Sequence, residues 1–249
     1  MANPFSLESK NVLVTGASSG IGRAIAVLCS QFGANVYITA RREDKLNETL
    51  SLMTGVNNKV VVADLSREKC IDNLTEQFPK LDGVVHCTGI GSRVLCKSVT
   101  REEIDRVMGA NFIAPIMLQT SLLAKKKLNK NASIVFIASH GANSPAIANS
   151  IYSASKGAII SYANCLALEV APRGIRVNCI SPAMVWTDLI VKDGIDVETL
   201  KQDEKKYPLG RYGKPEDIAP LAAYLLSDGS SWMTTTNVKI TGGGELSPL

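Results

Sequence analysis

Thr15-Gly16-Ala17-Ser18-Ser19-Gly20-Ile21-Gly22 decides how this chain is read. It follows a short β-branched run, Asn11–Thr15, and opens a segment of helical spacing, Ile21–Phe32. Gly16, Gly20 and Gly22 permit a tight turn and close backbone approach, and the free N–H groups at a helix start attract anions. A strand, a glycine turn and a helix in that order make a site for a pyrophosphate. The three residues between Gly16 and Gly20 depart from G-x-G-x-x-G and mark a subclass.

The same alternation continues outward from the turn. Near-continuous apolar runs recur at Asn35–Ala40, Lys59–Val62, Gly83–Cys87, Ser133–Ala138, Arg176–Ser181 and Asn237–Thr241. Runs of that kind are strands buried on both faces of a parallel sheet. Helical spacing fills the intervals at Asp44–Met53, Arg67–Gln77, Glu102–Ala124, Tyr152–Val170 and Glu216–Leu226. The expected fold is therefore α/β, a single Rossmann-like domain over residues 1–249. In it a doubly wound parallel sheet carries helices on both faces, with the ligand crevice at the carboxyl ends of the strands. The one stretch without period, 182–213, reads as a substrate lid.

Hydrophobic residues make up 45% and charged residues 20%, the balance of an ordinary globular protein. A net charge of +4, carried by scattered basic residues, is too small for a nucleic-acid footprint. Lys125, Lys126, Lys127 and Lys130 form the nearest approach to a basic cluster, read either as a solvated helix end or as a docking patch. Six cysteines without a CxxC pair fit a reduced, cytoplasmic setting, and no apolar stretch runs the length of a membrane span. No metal site and no membrane association are expected.

The second strand ends in Thr39-Ala40-Arg41-Arg42. In dinucleotide sites an acidic residue here binds the ribose 2′-hydroxyl, whereas arginine accommodates a 2′-phosphate. The acid is missing, and a guanidinium such as that of Arg41 pairs well with phosphate, so NADP(H) is favoured over NAD(H). The plainer reading is that Arg41 and Arg42 open a solvated helix and that Glu43 or Asp44 reaches the ribose.

Tyr152 and Lys156 lie four residues apart, hence on one helix face. Ser139 ends the preceding strand on the ligand side. A carbonyl held there is polarised by the serine while Tyr152 donates a proton and a nicotinamide supplies hydride. A free phenol has a pKa of roughly 10, which a neighbouring ammonium lowers. Lys156 thus has two candidate tasks, tuning Tyr152 and holding a ribose.

With these residues in place, the chain resembles the short-chain dehydrogenase/reductase family from its first strand to its last glycines. The matching pieces are Thr15–Gly22, Asp64-Leu65, Gly89, Asn111, Ser139, Tyr152 with Lys156, Pro182 with Thr187, and Gly213–Asp217. The resemblance implies that Gly16, Ser18, Ser19, Gly20, Ile21 and Gly22 hold the pyrophosphate side of the cofactor. It also implies that Asp64 and Leu65 lie against the adenine, that Thr88 and Gly89 line the crevice, and that Pro182, Val185 and Thr187 meet the nicotinamide. Asn111 is expected to hold a water in a proton relay to Lys156. Two departures stand out: His86-Cys87-Thr88-Gly89 where the family usually has Asn-Asn-Ala-Gly, and Pro182-Ala183 where Pro-Gly is common. His86 is read as a structural tie between strands, and Cys87 as a small buried residue.

His140, Asn143 and Ser144 after Ser139, with Met184, Trp186, Leu189 and Ile190 of the lid, are the expected substrate wall. Their mixture suits a carbonyl with both polar and apolar parts. Within the family the general likeness is to 3-oxoacyl-acyl-carrier-protein reductases, whose acidic carrier would be steered by Lys125–Lys127, Lys130 and Arg173. A sterol, sugar or polyol dehydrogenase is the enzymatic alternative, and a dinucleotide-sensing or scaffolding protein the non-enzymatic one. The resemblance also implies a homotetramer or homodimer built on Glu102–Ala124 and Tyr152–Val170.

Overall fold

A computed structural model describes residues 3–191 and 195–244. Seven parallel strands form one sheet in the order β3-β2-β1-β4-β5-β6-β7. They are β1 Asn11–Thr15, β2 Asn35–Ala40, β3 Lys59–Val62, β4 Leu81–His86, β5 Leu128–Ile137, β6 Arg176–Pro182 and β7 Asn237–Ile240. Order reverses between β1 and β4, which places a switch-point crevice at the end of β1 where the glycine turn begins.

Each central strand sends alternate side chains into two cores. Leu13 of β1 faces a core shared with α3 (Glu68–Glu76), α5 (Ala114–Ala124) and α6 (Ser150–Val170), through Leu74, Leu118, Leu122, Ile159 and Leu166. Val12 and Val14 face α1 (Gly20–Gln31), α2 (Glu43–Leu52) and α9 (Pro215–Leu226), through Ile25, Leu46, Ile218 and Ala222. The doubly wound sheet read from the sequence is the observed one.

Two elements differ from expectation by more than two residues or by a break. β5 starts at Leu128 rather than Ser133, because the polar Asn129-Lys130-Asn131 stretch belongs to the strand: Asn131 has φ 62° and the pairing register shifts between Leu81 and Gly83. The helix expected over Glu102–Ala124 is α4 (Arg101–Met108) joined to α5 by a π-turn at Gly109–Ile113. That joined helix is apolar and long enough to cross a membrane, but Val107, Leu118 and Leu122 bury its inner face in the core. The lid region contains two short helices, α7 (Asp188–Val191) and α8 (Val197–Glu204); of the lid expected over 182–213, residues 192–194 lie outside the described residues.

His86 ends β4 and is buried. Its ring stacks on Phe136 of the neighbouring β5 at 4.6 Å, and Nε2 lies 3.0 Å from Gln119 Oε1 of α5. It therefore ties the sheet to a helix as well as to the next strand. Burial lowers its pKa from 6.5 to about 4. Between those values the unfolded chain binds a proton that the folded chain does not, so stability falls as pH drops through this window, by up to about 3 kcal/mol. His86→Asn removes the stack and is expected to be less stable than wild type at pH 7. The Tm difference should narrow steadily as pH falls from 6.5 towards 4; parallel Tm curves would show that another group carries the acid sensitivity.

Candidate active site

The turn after β1 has the shape its glycines suggest. Gly16 and Gly20 take φ of 66° and 55°, and a Cβ on Gly22 would stand 2.5 Å from the Gly16 carbonyl oxygen. A Cβ on Gly16 would meet the Cys87 carbonyl at 2.9 Å, so only glycine lets β1 and β4 end this close together. Thr15 Oγ1 fixes that approach by accepting the N–H groups of Cys87 at 3.0 Å and Thr88 at 3.3 Å. Ser19, the residue before α1, places no side-chain acceptor on the helix N-terminus, which leaves that end to an anion.

From this turn a cavity of about 1350 Å³ runs along the carboxyl ends of the strands. Its lining includes Gly16, Ser18, Ser19, Gly20, Ile21, Gly22, Arg41, Asp64 and Leu65 at one end. Thr88, Gly89, Pro182, Val185 and Thr187 line its middle, and Ser139, His140, Tyr152 and Lys156 its far side. The residues expected to bind a dinucleotide thus line one cavity. Thr187 Cγ2 would lie 3.1 Å from a Cβ on Gly20, so the start of the lid closes on the phosphate turn.

At the end predicted to take the 2′-phosphate, the two arginines part company. Arg42 Nη2 donates to Ser18 Oγ at 3.1 Å and to Ser19 Oγ at 3.3 Å, whereas Arg41 acts electrostatically on Asp64. The Asp64 carboxyl is held below its usual range, first by the Ser66 hydroxyl at 2.7 Å and then, against its burial, by Ser66 N–H and Arg41. Arg42 lines the cavity beside Arg41, and sequence reading, which chose Arg41, gave it no separate role. Beneath the loop, Arg23 donates to the Ser18 carbonyl at 2.7 Å and pairs with Glu48 at 3.2 Å.

Lys156 is 5% exposed; its Nζ donates to the Ile137 carbonyl at 2.8 Å and lies 5.9 Å from the centre of the Tyr152 ring. Burial brings its pKa down to about 8, opposed only by the Cys87 and Cys179 thiols nearby. Those thiols are pushed up to about 12 by the same burial and are inert as nucleophiles. Ser139 Oγ accepts the Gly141 N–H at 3.1 Å, which leaves its own proton available to a ligand.

Asn111 lies behind this group in the π-turn. Its Oδ1 accepts Ile90 N–H at 2.8 Å, and its Nδ2 donates to Ile90 O and Ser155 Oγ, both at 3.0 Å. Both amide hydrogens are spent on cross-linking the loop after β4 to α6. What remains for a relay water is an acceptor: a Cβ on Gly89 would be 3.3 Å from both Asn111 Oδ1 and Lys156 Nζ.

Two expected substrate residues lie outside the cavity lining. Trp186 turns away from the cavity: its Nε1 donates to Glu204 Oε2 at 2.8 Å and its ring packs 5.5 Å from that of Tyr212. Asn143 is exposed beyond the wall, which is formed by His140, Gly141, Ser144 and Asn149 instead. Tyr207, absent from the sequence reading, lines the lid side. Ala183 keeps an ordinary backbone, outside the positive-φ region that requires glycine, so its replacement of glycine costs nothing locally.

The expected basic patch lies at the far end of the sheet. Lys125 pairs with Asp72 at 3.2 Å and Glu76 at 3.4 Å, Lys127 donates to the Phe78 carbonyl at 2.6 Å, and Arg173 donates to the Leu128 carbonyl at 2.6 Å. These groups fasten α3 and α6 at the amino end of β5, the end opposite Ser139. They do not face the cavity.

Comparison with known proteins agrees with this geometry. A family described as enoyl-(acyl carrier protein) reductase matches residues 16–245. A 3-oxoacyl-[acyl-carrier-protein] reductase of Rickettsia felis is 34% identical over 95% of this chain and 97% of its own length. Among solved structures, a short-chain dehydrogenase/reductase described as glucose/ribitol dehydrogenase, from Brucella melitensis, superposes with a TM-score of 0.89. It is 30% identical, over 97% of this chain and 98% of that one. A protein assigned as an NAD(P)-dependent gluconate 5-dehydrogenase from Beutenbergia cavernae, with NADP bound at low occupancy, gives 0.88 at 31% identity. It covers 98% of this chain and 100% of its own. By these likenesses the chain is an oxidoreductase of the short-chain dehydrogenase/reductase family.

Proposed function

We propose that this protein reduces a carbonyl to an alcohol with NADPH, and that residues 1–249 act as one dinucleotide-binding unit. The observation that carries the reading is the buried Lys156 ammonium, fixed on Ile137 beneath the Tyr152 ring, in the same cavity as Ser139. The glycine turn, the uncapped start of α1 and the Ser18-Ser19-Arg42 group fit a dinucleotide with a 2′-phosphate. When bound, the nicotinamide supplies hydride.

The protein's own residues do the rest. Ser139 Oγ–H donates to the substrate oxygen and polarises the carbonyl, and Tyr152 delivers a proton to that oxygen as charge develops on it. The Lys156 charge favours the phenolate that remains, and its pKa of about 8 lets Nζ release and recover a proton near neutrality. Asn111 holds the loop after β4 against α6, which keeps Gly89, Tyr152 and Lys156 in register.

A 3-oxoacyl thioester is the substrate suggested by the Rickettsia relative, with a sugar or polyol suggested by the two solved structures. If the acyl group arrives on an acidic carrier, the carrier docks at the cavity mouth and not at Lys125 and Lys127, which are held by Asp72, Glu76 and the Phe78 carbonyl. Assembly as a homodimer or homotetramer is supported by Ile113 and Leu168, 52% and 73% exposed on α4–α5 and α6. A Cβ on Gly157 would likewise have no atom within 4 Å; an apparent mass of one chain would count against assembly. A cytoplasmic setting is consistent with six cysteines that are all free.

The deciding assay follows oxidation of NADPH with a panel of carbonyl compounds, 3-oxo esters and keto sugars included. Turnover with NADPH several-fold faster than with NADH is expected. Turnover by NADH alone would overturn the cofactor assignment, and no turnover with any carbonyl would overturn the reading.

A further inference from the structure

Asp203 and Glu204 stand at the carboxyl end of α8, where the helix dipole disfavours negative charge. Helix capping does not account for two acids there. Tyr212 Oη donates to Asp203, and a single oxygen of Glu204, Oε2, accepts Trp186 Nε1–H at 2.8 Å and the Tyr212 N–H at 3.3 Å. Trp186 and Tyr212 are aromatic neighbours, their rings 5.5 Å apart, in a cluster completed by Ile190, Leu200 and Tyr207. One carboxylate therefore ties the end of α8 to both.

Trp186 belongs to a stretch that borders the cavity. Val185 pairs with Gly213 in a β-bridge, Trp186 N–H donates to the Gly213 carbonyl at 2.9 Å, and Gly213 N–H donates to the Met184 carbonyl at 3.0 Å. Neighbouring side chains point to opposite faces at a bridge of this kind. Val185 and Thr187 accordingly line the cavity, while Trp186 between them points into the lid cluster. Thr187 also stands on the phosphate turn, its Cγ2 3.1 Å from where a Cβ on Gly20 would lie. The backbone bonds hold the stretch along one edge, and the Trp186 indole is a second attachment.

Resting on the reading that this cavity holds NADPH, we propose that Glu204 is a positioning residue for the cofactor: by holding the Trp186 indole outward, it keeps Val185 and Thr187 turned into the cavity. Glu204 touches neither cofactor nor substrate and acts through Trp186. Ser139 follows β5, and Tyr152 and Lys156 stand on α6, so the groups that polarise and protonate the carbonyl are placed independently of this tie. Its loss falls on cofactor affinity rather than on proton transfer. Without the carboxylate, two N–H groups packed among aromatic rings have no acceptor, and the stretch relaxes to find one.

The test combines calorimetric titration with NADPH and steady-state reduction of a carbonyl that the wild type turns over. Glu204→Leu is expected to raise Kd and KM for NADPH about tenfold while kcat stays within about twofold. Glu204→Gln keeps an oxygen that accepts both N–H groups, and its Kd is expected within about threefold of wild type. Trp186→Phe removes the indole N–H and leaves Glu204 on Tyr212; Kd is expected to rise about fivefold, and adding Glu204→Leu should cost less than about threefold more. The chain has two tryptophans, so in a Trp232→Phe background emission comes from Trp186 alone; it is expected to move to longer wavelength in Glu204→Leu and not in Glu204→Gln. A fall in kcat with unchanged KM, a Gln variant as weak as Leu, or fully additive losses overturns the positioning role and leaves the reductase reading intact. If Glu204→Leu does not fold, Trp186→Phe decides, and an unchanged Kd there also overturns the role. A wild type that binds no NADPH overturns the cofactor reading, and this role with it.

Discussion

Tyr152→Phe is expected to lower kcat/KM for carbonyl reduction by about 10³-fold and to leave NADPH binding within about threefold of wild type. The change removes one oxygen. The ring that lies 5.9 Å from Lys156 Nζ remains, and so does the Lys156 bond to the Ile137 carbonyl, so the cofactor wall keeps its shape. Only the proton donor is lost. Ser139 and bound nicotinamide still orient the carbonyl, which accounts for residual turnover rather than none. Two measurements separate the classes of function: stopped-flow turnover for chemistry, and quenching of protein fluorescence by NADPH for binding. A variant that binds and turns over like wild type would remove Tyr152 from the chemistry. A wild type that binds NADPH and turns over nothing would support a sensing or scaffolding role.

Much of the fold was legible because the strands are buried on both faces. β1, β2 and β6 read as near-continuous apolar runs, and the glycines leading from β1 into α1 are demanded because a Cβ there would come as close as 2.5 Å to backbone atoms. The Tyr152–Lys156 pair was legible from helical spacing only together with Ser139 at the end of the preceding strand and the glycine turn. What escaped depended on partners distant in sequence. Nothing near Trp186 announces that Glu204 and Tyr212 hold its ring away from the cavity. Lys125 and Lys127 look like a free basic patch until α3 supplies Asp72 and Glu76 and the turn after it the Phe78 carbonyl, which use them up. Loop residues carry function through such pairings, and no local pattern records them.

The choice between Arg41 and Arg42 is a case of this kind, and it leads to the second large effect. Alternation along β2 stops at Ala40, so counting cannot say which arginine turns towards the phosphate turn. In the structure Arg42 reaches Ser18 and Ser19, whereas Arg41 acts on Asp64 through its charge. Arg42→Ala is therefore expected to lower kcat/KM with NADPH about 30- to 100-fold, the loss of charge-assisted hydrogen bonds of about 2–3 kcal/mol to a phosphate, and to change NADH by less than about threefold. Arg41→Ala should cost NADPH several-fold less, since its charge acts beside a carboxylate that offsets it. The preference for NADPH should also weaken as salt rises, because both guanidinium groups stand at an open end of the cavity. Steady-state assays of both variants with both cofactors decide the matter. A greater loss in Arg41→Ala would exchange the roles of the two arginines. Equal losses with NADPH and NADH in Arg42→Ala would mean that Arg42 serves the turn through Ser18 and Ser19 and does not recognise a 2′-phosphate.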